Sequence, residues 1–302
     1  MSKSAALVAT FVAGKDARLS APILADALRA TGLAGSRIDW LAPERAADVF
    51  PEGAIWSTTL SDQLRAALEP DHRVDVIVQP VAGRRKKLLI ADMDSTIIRE
   101  ECVDELAACK GLRAHISAIT ERAMKGEVDF ASALRERVAL LEGLARAEVF
   151  ALRDRLTPTP GALALVATMR AHGAYTALVS GGFAPFTRAV AARLGFDEDR
   201  ANDLEFIDDA LSGRLVEPVH GPEAKLRALE EICAQRELST RQALAVGDGA
   251  NDLGMIAAAG LGVAFRARPK VAAAAAARID HGDLTALLYA QGYRTADFHE
   301  FA

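Results

Sequence analysis

Residues Leu88–Thr96 read LLIADMDST, four apolar residues followed by two carboxylates one residue apart. A short unbroken apolar run that stops at polar, turn-forming residues is what a strand buried on both faces requires. Similar runs recur at Tyr175–Val179, Ala243–Val246 and Leu261–Phe265, with helical patterns between them. That alternation predicts an α/β fold, a doubly wound parallel sheet with helices on both faces, whose ligands gather at the carboxyl ends of the strands. The second run ends in Ser180-Gly181-Gly182 and the third in Gly247-Asp248-Gly249-Ala250-Asn251-Asp252. Three polar strand ends therefore converge on one edge of the sheet.

Working outward, the stretch from about Glu100 to Thr157 is too long for one crossover and is helical in pattern throughout. It predicts a cap over the site, closed by the breakers of TPTPG at 157–161. Residues 1–80 alternate apolar runs with helical stretches at Ala6–Val12, Ala21–Ala30, Arg37–Leu41, Leu60–Leu68 and Val74–Val78, which predicts a separate small α+β unit. The basic run Arg84–Lys87 reads as a solvated linker into the second unit, which occupies 86–302. The alanine tract Ala272–Ala277 behind Pro269 reads as plain helix.

Composition sets the outer limits. Across 302 residues, 36 Lys+Arg oppose 41 Asp+Glu for a net charge of −5, and 51% of the residues are hydrophobic. Such a chain folds, splits into about two domains, and offers little to nucleic acid. No apolar run approaches the roughly 18 residues that span a bilayer, and the Ala5–Gly14 segment, interrupted by Thr10, lacks a cleavage site for export. Cys102, Cys109 and Cys233 are odd in number and show no CxxC spacing, so a reducing cytoplasm is expected and zinc is not.

The chemistry-bearing residues each admit a plainer alternative. Asp92 and Asp94 could cap the following helix, but a second acidic strand end at Asp248 makes a hard-oxygen site for Mg²⁺ and a phosphate ester the better reading. A Walker lysine loop, a dinucleotide fingerprint, a G-x-S-x-G elbow and paired histidine ligands are all missing. Ser180 either caps a helix or, with the open backbone of Gly181, receives phosphate oxygens. Lys225 lies in the opening turn of a helix near Pro222, on the face of Leu229 and Ile232; it either snorkels or meets a buried anion. Arg137 interrupts the apolar stripe Phe130, Leu134, Leu141 of a cap helix, while Arg135 points away. Its guanidinium wants a planar partner, either a substrate carboxylate or an internal acid.

Taken in order, DMDST at 92–96, SGG at 180–182, Lys225 and GDGAND at 247–252 resemble the haloacid dehalogenase superfamily of phosphotransferases. A closer likeness, over roughly residues 86–290, is to the branch that hydrolyses O-phosphoserine in serine biosynthesis. It is carried by Met93–Glu101, Asp104-Glu105, Glu121–Gly126, Asp129-Phe130, Leu134–Val138 and Val179–Phe183. The resemblance implies Asp92 as nucleophile, Asp94 as general acid and base, and Mg²⁺ held by Asp92, the Asp94 carbonyl and Asp248. It implies phosphate held by Ser180, Gly181 and Lys225, with Asn251 at the substrate and Asp252 in support. Glu101 would read the ammonium of the amino acid and Arg137 its carboxylate, with Met124 and Phe130 lining the cap. By analogy residues 1–80 would form an ACT-like module of ferredoxin-like topology, sensing an amino acid or joining a homodimer. Two rival functions stay open on sequence: transfer of the phosphoryl group to another hydroxyl, and a non-catalytic amino-acid sensor.

Overall fold

Consecutive residues of a strand face opposite sides of a sheet, so a doubly covered strand must be apolar at every position. The computed structural model, which describes residues 6–51, 58–69, 72–124 and 127–300, shows this in β5 (Leu88–Ala91). Leu88 and Ile90 enter the core formed with Leu229, Ile232, Ala243 and Ala245, whereas Leu89 and Ala91 enter the core on the other face with Leu178, Leu244 and Val246. Each such leucine or isoleucine, withdrawn from water, contributes about 1.5–3 kcal/mol.

Around β5 stand β6 (Tyr175–Phe183) and β7 (Glu198–Asn202) on one side, and β10 (Ala243–Gly247), β11 (Leu261–Phe265) and β12 (Ala277–Ile279) on the other. All pair in parallel, in the order β12-β11-β10-β5-β6-β7. The strand carrying Asp92 is thus flanked by those carrying Asp248 and Ser180. Helices α7 (Ala162–Ala171), α8 (Ala184–Leu194), α9 (Glu223–Gln235), α10 (Leu253–Ala258), α11 (Pro269–Ala274) and α12 (Ala286–Ala290) complete the layers. The alanine tract departs from the helix expected of it. α11 stops at Ala274 and Ala277 opens β12, pairing with Val263, because pairing at the sheet edge overrides the helix preference of alanine.

Before this sheet the chain forms β1 (Leu7–Ala13), α1 (Ala21–Ala30), β2 (Arg37–Ala42), β3 (Ala46–Phe50), α2 (Thr58–Ala66) and β4 (Val74–Pro80). Ser20 caps α1 by accepting the Ile23 N–H at 3.4 Å. The antiparallel order β2-β3-β1-β4 is the ferredoxin-like βαββαβ arrangement. Phe11, Val49, Val76 and Val78 face Leu24, Leu28 and Leu64 of the two helices, while Val12 and Ile77 join the core of the larger unit. This sheet is therefore covered on both faces.

Between β5 and α7 the described residues form four cap helices: α3 (Cys102–Cys109), α4 (Arg113–Met124), α5 (Phe130–Ala139) and α6 (Arg146–Arg153). Their two connections to the sheet are tied together. The Arg99 N–H donates to the Thr157 carbonyl at 3.0 Å, the Thr159 N–H to the Ile97 carbonyl at 2.9 Å, and the Glu100 carboxylate accepts the Thr157 N–H at 3.0 Å. A hairpin absent from the sequence reading, β8 (Leu204–Ile207) and β9 (Ala210–Leu215), rises from the sheet to meet these helices. The Gly143 N–H donates to the Leu211 carbonyl at 2.8 Å, and the Leu211 N–H to the Leu144 carbonyl at 2.9 Å.

Candidate active site

Beyond the last residue of β5 the chain turns sharply: Asp92 is extended, Asp94 is extended at ψ 137°, and Ser95 is left-handed at φ +55°. Asp92 Oδ1 accepts the N–H of Met93 at 2.7 Å and lies 2.6 Å from Lys225 Nζ. The ammonium also donates to Asp252 Oδ1 at 2.6 Å, and the other Asp252 oxygen accepts the Gly249 N–H at 3.0 Å. Both oxygens of Asp252 are therefore engaged by the protein, which makes it a holder of Lys225 and of the Gly249 loop. Lys225, 2% exposed, enters from the first turn of α9 because Ala228, Leu229 and Ile232 bury the same face. Of the two readings for this lysine, the buried anion is the one realised. Thr96 Oγ1 donates to Asp248 Oδ1 at 3.2 Å, a link the sequence reading had not drawn although Thr96 closes the DMDST motif.

The charges do not balance within the protein. Ligand oxygens of Asp92, Asp248 and Asp252 lie within 4.8 Å of one another, against the single ammonium of Lys225. Burial, then the charge of Asp252, pushes Asp92 well above the usual carboxylate range, and the same two causes lift Asp248 to about 6. Lys225 is raised, since its carboxylates outweigh the cost of burial. Three carboxylates and one ammonium leave two negative charges, which a divalent cation would neutralise. The donors are all oxygen, with no histidine or thiol among them, so the residues fit a hard cation.

Asp94 has a different setting. Its Oδ1 is buried without a hydrogen-bond partner. Burial, followed by the charge of Glu101, lifts its carboxyl to about 7, with Cys102 and Lys225 pulling the other way. Asp94 Oδ2 faces Gly182, where an added Cβ would stand 3.1 Å from it and 3.1 Å from Ser180 Oγ. Ser180 does not open a helix, as the sequence suggested. β6 continues in extended form through Phe183 and slips its register against β7 between Val179 and Phe183, so Ser180–Gly182 form a bulged strand end and α8 begins only at Ala184. Ser180 Oγ accepts the Gly182 N–H at 2.9 Å, and Asn202 Nδ2, another partner not anticipated, donates to the Gly181 carbonyl at 2.9 Å. Nothing in the sequence around Asn202 signals that contact.

Above the bulge lies Phe130 of α5, whose ring would be 3.0 Å from a Cβ at Gly181. The cap thus rests on the loop proposed to receive phosphate. Arg137, two turns further along the same face, donates to the Ala133 carbonyl at 3.2 Å and to Thr120 Oγ1 at 3.4 Å, and among the described residues no carboxylate pairs with it. Burial lowers its pKa, with Asp104, Glu101 and Asp94 opposing. Arg135 turns outward to Glu217 at 2.8 Å. Glu101 Oε1 accepts the Ser95 hydroxyl at 2.6 Å. Asn251 folds over Gly249, and Asp252 over Gly247, closely enough that a Cβ on either glycine would collide. Met124 lies outside the residues whose side chains are described; the other candidate catalytic, metal and substrate residues sit at this one strand edge or on the cap side near it.

A strand-end aspartate held by a buried lysine, with a second aspartate two residues on and a third from the neighbouring strand, under a helical cap, defines a class of phosphoryl-transfer hydrolase. Residues 89–257 match the model of the haloacid dehalogenase-like hydrolases. A phosphoserine phosphatase of Polaromonas sp. is 47% identical over 210 residues, 67% of this chain and 88% of that relative. A solved HAD family hydrolase from Salmonella enterica serovar Typhi superposes with a TM-score of 0.85 at 30% identity, covering 95% of this chain and 98% of that one. A probable phosphoserine phosphatase from Vibrio cholerae, in unliganded form, gives 0.76 at 31% identity over 95% of this chain and 87% of the other. The chain belongs to the haloacid dehalogenase-like hydrolases and, within them, to the phosphoserine phosphatase family.

Proposed function

We propose that this protein hydrolyses O-phospho-L-serine to L-serine and phosphate through an aspartyl-phosphate intermediate, the closing step of serine biosynthesis in the cytoplasm. The observation that carries it is the contrast between two neighbouring carboxylates: Asp92 tied to Lys225 at 2.6 Å, and Asp94, whose Oδ1 is buried without a hydrogen-bond partner, lifted to about 7. Mg²⁺ would be held by the carboxylates of Asp92 and Asp248 and by the backbone carbonyl of Asp94. Bound there, it would supply positive charge between two mutually repelling anions, the nucleophile and the phosphoryl group.

The chain's own residues do the rest. Lys225, Ser180 and the backbone of Gly181 take the phosphoryl oxygens, with Asn251 alongside, so that phosphorus faces Asp92. The Asp92 carboxylate forms a bond to phosphorus as the bond to the serine oxygen breaks, and that oxygen takes the proton carried by Asp94. A carboxyl near 7 is still about half protonated at neutral pH, whereas an ordinary aspartate is almost wholly ionised there. Asp94, now ionised, draws a proton from a water that attacks phosphorus. Breaking the phosphorus–Asp92 bond releases phosphate and restores both side chains. Glu101 and Arg137 would hold the ammonium and carboxylate of serine, and Phe130 would shield the first step from water.

Phosphate release from L-phosphoserine, D-phosphoserine, phosphothreonine and sugar phosphates, with and without Mg²⁺, tests substrate and metal together. L-phosphoserine with Mg²⁺ is expected to lead. Asp92→Asn should lose about 10⁴-fold or more of turnover and form no acid-stable phosphoprotein. Turnover by that variant within tenfold of the unaltered protein would overturn the reading.

A further inference from the structure

The mechanism above leaves Ser95 without a task, although it stands between the two aspartates and the cap. Its left-handed backbone, at φ +55°, crowds any residue with a Cβ and persists only where surrounding contacts impose it. Two contacts do so. The Ser95 N–H donates to the Glu100 carbonyl at 3.2 Å, and the Ser95 hydroxyl donates to Glu101 Oε1 at 2.6 Å. Glu101 precedes α3 in extended conformation, makes no side-chain capping bond to that helix, and is exposed. A glutamate so placed has free side-chain torsions unless something fixes them, and only an ordered carboxylate can distinguish an ammonium from a hydroxyl at the same position.

We propose that Ser95 is the positioning residue that orients Glu101 to read the ammonium of the substrate, its hydroxyl holding one carboxylate oxygen and leaving Oε2 for the ligand. The inference rests on the phosphoserine reading and deepens it. The strained turn serves the purpose directly, because the same left-handed residue that redirects the chain after Asp94 aims its hydroxyl at the connection carrying Glu101. Phosphate and carboxylate are gripped by other residues, so loss of the Ser95 hydroxyl should damage head-group discrimination selectively.

Steady-state kinetics of the full chain with Mg²⁺ provide the test, with L-phosphoserine compared against p-nitrophenyl phosphate, which has no ammonium. Ser95→Ala is expected to raise KM for phosphoserine about tenfold more than for the aryl ester, the scale of one charge-assisted hydrogen bond. Ser95→Gly should show the same split although glycine relaxes the backbone, and its melting temperature should not fall. Ser95→Ala added to Glu101→Gln should cost nothing further, because the two act as one unit. Equal losses on both substrates, retained discrimination in Ser95→Gly, or multiplying losses in the double variant would each overturn the assignment. If the unaltered protein cleaves the aryl ester but not phosphoserine, the substrate reading itself fails, and the role of Ser95 with it.

Discussion

Asp92 and Asp94 are separated by one residue, yet Lys225 sits 2.6 Å from the first while Oδ1 of the second meets no donor. That difference was only partly legible in sequence. DMDST and GDGAND announced converging carboxylates, but which of them would be paired depended on Lys225, which arrives from a helix 133 positions beyond Asp92. The raised values carry a pH consequence. Asp94 and Asp248, lifted to about 7 and about 6 from an ordinary 3.8, hold protons in the folded chain that the unfolded chain has already lost. Their contribution to stability is complete below about pH 4 and disappears as pH rises through about 6 to 7. In thermal unfolding, the chelator-treated protein should lose stability across that window, and the increment given by Mg²⁺ should grow with pH; an equal increment at every pH would contradict the placement of the cation. At Arg137, the absence of an acidic partner among the described residues favours a carboxylate arriving with the substrate. Arg137→Ala should then reduce kcat/KM for phosphoserine about 10- to 100-fold more than for p-nitrophenyl phosphate, since a bidentate charged contact is lost. Matched losses on the two would make the arginine structural.

Elements were legible where burial enforced a pattern. β5, β10 and β11 carry no polar side chain because both faces are covered, the Ala177–Val179 stretch of β6 is apolar for the same reason, and α1 ran over the residues its pattern marked. β3, β7 and the β8–β9 hairpin escaped notice. Glu198–Asn202 is EDRAN, whose polar side chains pair locally with Arg200 and Glu231, so nothing in its hydropathy marks an edge strand. The bulge at Ser180–Gly182 was hidden for another reason: the register slip depends on β7, which had not been recognised. The hairpin matters most, since it fastens the cap. Gly213, at φ +77°, turns there with Glu142 Cβ only 3.0 Å from where a side chain would begin. Gly213→Ala should cost about 1 kcal/mol or more in strain and crowding and loosen that junction. Hydrogen exchange should then accelerate at the amides of Gly143 and Leu211, which cross between hairpin and cap; unchanged protection would show that the cap is held elsewhere.

Across the whole molecule the two sheets meet through a small set of buried polar contacts set in apolar surroundings. Asp75 of β4 accepts the N–H groups of Asp280 at 2.7 Å, His281 at 3.2 Å and Gly282 at 2.6 Å. Gln79 donates to the Ala290 carbonyl at 2.7 Å, and Asp48, tied to Thr10 and Arg84 at 2.7 Å each, anchors the linker. The sequence showed two units and a basic linker; it did not show that Arg84 would be drawn inward by Asp48, because that pairing spans 36 positions of chain. Asp75→Ala would strand three backbone donors in a site that is 3% exposed, and urea denaturation should register a loss of about 3 kcal/mol. A change below about 0.5 kcal/mol would mean that water replaces the carboxylate at little cost. Finally, α12 packs against β1, and its buried Leu287 and Leu288 share one continuous core with Val12 and Ile77 of the first sheet. A fragment trimmed to begin at the linker would therefore wear an oily scar where its neighbour had been, and would be expected to clump in solution even with every chemical group of the reaction in place.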